Sequence, residues 1–353
     1  MRKILYIIIC MPLMLLLSCD LIHEWPEPPE HVKLRLCLSY QTAMTEWLHT
    51  YDEESVLEQG IGEEYDNHQS YGTIRYVVRL YPVSQSRRTA QSFTQEFCFE
   101  RDIAQGYDHE VILDVMPGNY TVMVWSDLVE HDDDESFYNA ENFAEIVLND
   151  THSANTHYRD AFYGTSALTL VGDIVEREPQ RLDIAMQRPL ALFEFVTDDL
   201  AEFVDKEITR LNLTSGVEDS GMSQSGSTRV VNLEDYRVVF YYVGFMPNAF
   251  SIVTNKPVDS ATGVLFDATL KELSDTEASL GFDYVFVNGT RTNITVQIAI
   301  YDKAGTQLSI TESIEIPLMR NHHTILRGSF LMQDAQGGVN IDPGYDGDHN
   351  LIL

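Results

Sequence analysis

Histidines, acidic runs and cysteines are the residues of this sequence whose types could do chemistry, and their spacing decides which chemistry is open to them. His152 and His157 stand five apart and His322 and His323 are adjacent, but neither pair has a third ligand at a metal-site spacing, so they read as solvated histidines. The run Asp132-Asp133-Asp134-Glu135 could gather a cation, although a charge run of this kind is ordinarily a solvated loop. Asp346-Gly347-Asp348-His349-Asn350 begins like a calcium loop, yet its sixth position is Leu351, where the sharp turn needs glycine. No G-x-S-x-G, G-x-x-x-x-G-K, H-E-x-x-H or C-x-x-C pattern occurs. Nothing singles out a carboxylate pair for glycoside cleavage among 55 acidic residues. The expectation is therefore a protein that is not an enzyme, with no catalytic residue, no metal ligand and no cofactor.

Cys19 is the residue with a specific reading. Met1-Arg2-Lys3 gives a basic start, and Ile4–Leu17 is an apolar run broken only by Pro12. That run is shorter than the ~20 apolar residues a spanning helix needs and reads as a secretory signal. It ends in Leu16-Leu17-Ser18-Cys19, which resembles the bacterial lipobox, in which the cysteine is acylated and becomes the first residue of the mature chain. Residues 1–18 are then a lipoprotein signal peptide, and the lipid on Cys19 is the membrane anchor, its acyl chains giving firm attachment. Residues 19–30, rich in acid and proline, read as a tether lifting the body off the membrane. The formal charge of −32 becomes −34 once Arg2 and Lys3 leave with the signal, which excludes nucleic acid as a partner and disfavours anionic head groups. With Cys10 in the signal and Cys19 lipidated, Cys37 and Cys98 remain; both fall on the polar face of a strand, and pairing or two free thiols are both open.

The elements that would position these residues are strands. Val32, Leu34, Leu36, Leu38 and Tyr40 alternate with polar residues; so do Ile74, Tyr76, Val78 and Leu80, and Phe93, Phe97 and Phe99. Val111–Val115, Tyr120–Trp125, Phe143–Leu148, Leu168–Val171 and Leu182–Met186 follow, with Gln41–Tyr71 as a long loop. Gln187-Arg188-Pro189 is the expected junction. After it come Leu192–Val196 and one short helix, capped by Asp198 with Leu200, Phe203, Val204, Ile208 and Leu211 on one face. Seven further strands are expected from Tyr236–Gly244 to Thr324–Leu331. The fold class is mainly β: two tandem β-sandwich domains, residues 31–188 and 189–353, each with its own core and the helix in the second.

Several motifs in succession carry a resemblance. Pro117-Gly118-Asn119-Tyr120 runs into Trp125-Ser126-Asp127; Met186-Gln187-Arg188-Pro189 runs into Phe193-Glu194-Phe195; Gly281–Gly289, Ile316–Thr324 and Ile341–Asn350 follow in order. In that order, behind a lipobox, they resemble the Bacteroidales fimbrial anchor and minor fimbrial subunit lipoproteins. The resemblance implies transthyretin-like sandwich domains, an outer-membrane location at the cell surface as part of a fimbrium, and a role in cell adhesion. It also implies pilus shaft subunits as partners, bound by addition of a β-strand to an open sheet edge. In that family, shaft subunits lose their first strand to a protease that cuts after a basic residue, whereas anchors keep it. Between Arg35 and Arg75 this chain has no Lys or Arg. That favours an anchor over a shaft subunit, with a retained first strand whose Val32, Leu34, Leu36, Leu38 and Tyr40 face inward; an adhesive tip subunit and a family member that never assembles into pili are also open. The alternative is a glycan-binding lipoprotein of an outer-membrane nutrient importer, with Trp47, Trp125 or exposed tyrosines stacking on sugars.

Overall fold

The computed structural model describes residues 31–52, 55–65, 72–83, 93–129, 137–171, 178–214 and 231–333, with side chains left undescribed at 52, 55–65, 213 and 214. The signal, Cys19, the tether, Asp132–Glu135 and Asp346–Asn350 lie outside them.

The first half supplies eleven strands: β1 (Val32–Tyr40), β2 (Met44–Asp52), β3 (Ser55–Tyr65), β4 (Thr73–Pro82), β5 (Gln95–Asp102), β6 (His109–Val115), β7 (Gly118–Val129), β8 (Tyr138–Asn139), β9 (Ile146–Leu148), β10 (Ala161–Leu170) and β11 (Gln180–Met186). A sheet ordered β11-β1-β6 faces one ordered β10-β7-β4-β5. Period-two alternation drives the packing: Leu34, Leu36 and Leu38 from β1 meet Tyr76, Val78, Val122 and Val124, all buried, in one core. The expected bounds of β1 are the observed ones.

The second half adds β12 (Leu190–Thr197), the helix α1 (Leu200–Thr214), and then β13 (Arg237–Tyr242), β14 (Phe245–Ser251), β15 (Lys256–Thr262), β16 (Leu265–Thr269), β17 (Lys271–Glu272), β18 (Ala278–Phe286), β19 (Arg291–Tyr301), β20 (Gln307–Ile310), β21 (Ile314–Met319) and β22 (His322–Gly328). Helix α1 turns Leu200 and Phe203 into the core, while the Asp198 carboxylate takes the Ser329 hydroxyl and Asp199 takes the Leu331 and Met332 amides. These bonds tie the start of the helix to the segment after β22. β16-β13-β19-β20, with β21 also on β19, forms one layer of the second sandwich.

Its other layer is a six-stranded sheet, β17-β18-β12-β22-β2-β3. Two of its strands come from the segment read as the Gln41–Tyr71 loop. β2 runs parallel to β22 from Thr45↔His322 to Thr50↔Arg327, and β3 pairs antiparallel to β2. The sequence hid this pair because a register shift between Thr45 and Trp47 breaks the alternation, and because the buried residue mid-strand is His49 rather than an apolar one. The hairpin therefore belongs to the second sandwich although it precedes most of the first.

A fifth sheet, β15-β14-β9-β8, joins the two. Its Ile146, Met246 and Phe250 share a core with Val77, Trp125 and Tyr163, which lie on the outer face of β4, β7 and β10. Both faces of that sheet are thus covered, and β4 is buried along most of its length.

Candidate functional site: the first strand and its connector

β1 is a central strand, not an edge. Seven residue pairs hold it parallel to β11, from Leu34↔Gln180 to Tyr40↔Met186, and seven hold it antiparallel to β6, from Val32↔Val115 to Leu38↔His109. Leu34 and Leu36 are fully buried and Leu38 nearly so, with Val32 and Tyr40 packed at the two ends of the row. Burying each such side chain is worth ~1.5–3 kcal/mol. The outer face carries Lys33–Asp114 at 3.0 Å and Arg35–Glu110 at 3.3 Å, exposed pairs that contribute little.

Tyr40 closes the strand. Its ring lies edge-on to Phe162 at 5.1 Å and near Tyr107 at 5.7 Å, its hydroxyl donates to Ser126 Oγ at 2.9 Å, and its amide donates to Asp108 Oδ1 at 2.8 Å. Burial pushes the Tyr40 hydroxyl well above its ordinary pKa, so it remains a neutral donor.

Only Gln41, Thr42 and Ala43 separate β1 from β2. The Thr42 carbonyl accepts from Arg188 Nη2 at 2.8 Å, and the Ala43 carbonyl accepts from Asn321 Nδ2 at 3.3 Å. Arg188 is itself buried, bonded to both Asp160 oxygens at 2.7 and 2.8 Å, to the Asn321 side chain, and stacked over Phe162 at 4.6 Å. Burial opposes its charge, but Asp160 outweighs that and raises its pKa, so the guanidinium stays charged where it binds the connector. One residue at the expected junction thus gathers the first-strand connector, the start of β10 and the turn before β22.

A second buried pair stands nearby. Arg159 Nη1 meets Asp283 of β18 at 2.5 Å, Tyr242 donates to Asp283 at 2.6 Å, and Tyr138 donates to the Arg159 carbonyl at 2.6 Å. Asp127, buried in β7, takes Arg75 at 2.5 Å and the Trp125 indole at 3.2 Å.

The histidines read from sequence are not brought together. His152 Nδ1 lies 2.8 Å from the Leu265 carbonyl, whereas His157 stacks on Phe282 at 4.3 Å and meets the Tyr284 hydroxyl at 3.1 Å. Burial lowers the His157 pKa to about 4. His322 packs on Trp47 at 4.9 Å; buried His323 lies 3.2 Å from Glu194 and 3.8 Å from Glu46. Among the described residues no group of three or more His, Cys, Asp or Glu is arranged to hold a metal. Trp125 is fully buried, and Trp47 is covered by Arg291 at 4.9 Å as well as by His322, so neither offers a bare ring to a sugar. Cys37 and Cys98 are both free, on β1 and β5 of different sheets. Sequence reasoning found β1 and placed Asp283 and Asn321 within motifs, but missed Asp160 and all of their pairings, whose partners are far away in the chain.

The family of unknown function DUF6562 matches residues 29–352. No curated protein matches. Among solved structures, the fimbrial anchor protein Mfa2 from Porphyromonas gingivalis is similar, with a TM-score of 0.35 and 10% identity over 79% of this chain and 82% of that one. A fimbrial assembly protein from Parabacteroides distasonis gives 0.37 and 9%, over 86% and 92%. A candidate cell adhesion protein from Bacteroides eggerthii gives 0.41 and 11%, over 90% and 91%.

Proposed function

The chain belongs to the DUF6562 family, and we propose that it is a cell-surface lipoprotein ending a strand-exchange pilus at the outer membrane, as its anchor or a minor assembly subunit. The observation that carries this reading is the bound connector. A shaft subunit must shed its first strand to admit a neighbour's. Here the residues that would be cut are three long, held at two carbonyls by Arg188 and Asn321, and free of Lys and Arg. Losing β1 would also take away its five inward side chains and leave an open groove between β6 and β11. With β1 retained the groove is filled, and a subunit with a filled groove ends a strand-exchange chain.

The lipid on Cys19 then holds that end at the membrane. No helix among the described residues is long and apolar enough to span a bilayer. Changing Cys19→Ser should release an unacylated protein into soluble fractions, read by fatty-acid analogue labelling; a mutant still labelled and membrane-bound would contradict lipid attachment there. Deleting the gene should give longer pili, or pili shed into the medium, while shaft protein is still made. Pilus length and attachment unchanged in the deletion would remove the anchor reading.

A further inference from the structure

A cavity of about 320 Å³ opens beside the first-strand connector, with Tyr40 and Thr42 on one wall and Ile103, Gln105, Tyr107 and Asp108 on the other. Sites for small ligands span roughly 300–1,000 Å³, so this one has room for a single ring with its substituents. The second wall is the loop between β5 and β6, and its own bonds fix it before any ligand arrives. Ile103–Gln105 makes one 3-10 turn, capped by Asp102, whose carboxylate takes the Ala104 amide at 2.9 Å. Gly106 leaves that turn at φ +84°, in the left-handed region that favours glycine. Arg101 holds the rest of the loop: Nη2 donates to the Gln105 carbonyl at 2.7 Å, Nη1 to the Asp108 carbonyl, and Nε to Gln105 Oε1 at 3.1 Å. Asp108 then joins the two walls by taking the Tyr40 amide on Oδ1 at 2.8 Å. A wall ordered in advance loses little affinity to ordering on binding.

Three polar groups on these walls have bonding capacity left. Asp108 uses Oδ1 and Gln105 uses Oε1; among the described residues Asp108 Oδ2, Gln105 Nε2 and the Thr42 hydroxyl have no protein partner. They are an acceptor, a donor of two hydrogens and a group that is both. Beside them lie buried Ile103 and Tyr107 and half-buried Tyr40. Convergent donors and acceptors next to an apolar wall fit a ring with hydroxyls at its edge and C–H bonds on its face. A wholly apolar ligand would leave the three polar groups desolvated and unpaired. An anionic ligand would meet the Asp108 carboxylate in a chain whose net charge is −32.

We propose that this cavity binds one neutral sugar ring, free or at the end of a glycan, through Asp108, Gln105 and Thr42. The site goes beyond the anchor reading and does not depend on it. Because its walls include the residues on both sides of Gln41, a bound sugar also braces the connector against the β5–β6 loop.

The test uses the full mature chain with glucose, galactose, mannose and N-acetylglucosamine as neutral probes and glucuronate as the anionic counterpart. Saturation-transfer NMR should find at least one neutral probe bound with a Kd of about 10 mM or tighter, and glucuronate about tenfold weaker or more. Gln105→Ala/Thr42→Val removes the amide and the hydroxyl; it should keep the wild-type melting curve and weaken binding about tenfold or more. Should it melt early, Gln105→Ala alone carries the comparison, because that side chain is exposed. Asp108→Asn keeps an oxygen for the Tyr40 amide but removes the charge, and should narrow the gap between the neutral probe and glucuronate. The methyl glycoside of the bound sugar separates the two sources: a site for the end of a glycan accepts it, and a site for the free sugar rejects it. At about ten times its Kd the bound sugar should slow chymotryptic cleavage after Tyr40 about tenfold. No binding by any of the four neutral probes, equal binding of glucuronate, binding unchanged in the Gln105 and Thr42 variants, or cleavage that a saturating sugar leaves unchanged overturns the proposal.

Discussion

At the scale of single residues, Arg188 does the most to keep the first strand in place. Removing one member of a buried, hydrogen-bonded ion pair costs ~3–5 kcal/mol, because the other charge is left buried and unpaired. Asp160→Ala should therefore destabilise the protein by about that amount, read by denaturant melts; a loss below ~1 kcal/mol would mean the pair is not buried as described. Arg188→Met tests the connector directly. It should speed chymotryptic cleavage after Tyr40 by more than the global loss of stability accounts for, and an unchanged ratio of the two would separate Arg188 from the connector. His157 gives a pH prediction. Its folded pKa of about 4 lies below the ordinary histidine value near 6.5, so the unfolded state binds the proton first. Stability should be full above that value and fall as pH drops from ~6.5 towards 4, and His157→Gln should flatten this limb of the melting-temperature curve. Arg188 was visible in the sequence as part of a junction motif. Asn321 stood in a later motif and Asp160 in none, and neither pairing was visible, since Asp160 lies 28 and Asn321 133 residues from Arg188 and nothing local marks either as its partner.

At the scale of elements, sequence patterning succeeded where one face of a strand is buried and the other solvated. β1 alternates and stands where expected, and β19 was found from the alternation of Ile294, Val296, Ile298 and Ile300 although its second half is buried on both faces. It failed for β2, which interleaves Met44, Trp47, Leu48 and Tyr51 with buried His49 across a register shift. Remote pairing with β22, rather than local preference, makes this segment a strand. Replacing residues 44–71 with a short Gly-Ser linker distinguishes strand from loop. A loop exchange costs ~1 kcal/mol or less, because closure entropy grows slowly with length. Removing β2 and β3 should instead abolish cooperative melting of the second sandwich, because β22 loses its neighbour β2 and becomes a bare edge. A variant that melts as sharply as wild type would show the hairpin to be dispensable.

At the scale of the whole molecule, the two sandwiches hold each other. The hairpin β2–β3 passes from the first half of the sequence into the second sandwich, and Arg159–Asp283 and Arg188–Asn321 cross between them. The outer face of β4, β7 and β10 is covered by β9 and β14 and shares their core. Residues 31–188 made alone would expose Val77, Trp125 and Tyr163 and strand the hairpin, so they should not melt cooperatively as a soluble monomer; a sharp two-state transition would contradict this. The central claim is that this chain keeps its first strand and so ends a pilus at the membrane. Peptide-mapping mass spectrometry of the protein from outer-membrane fractions tests it most directly. The account predicts a mature chain that begins at lipid-modified Cys19 and runs unbroken through Val32–Tyr40 into Gln41–Tyr71. A mature chain beginning anywhere between Tyr40 and Tyr71 would contradict it.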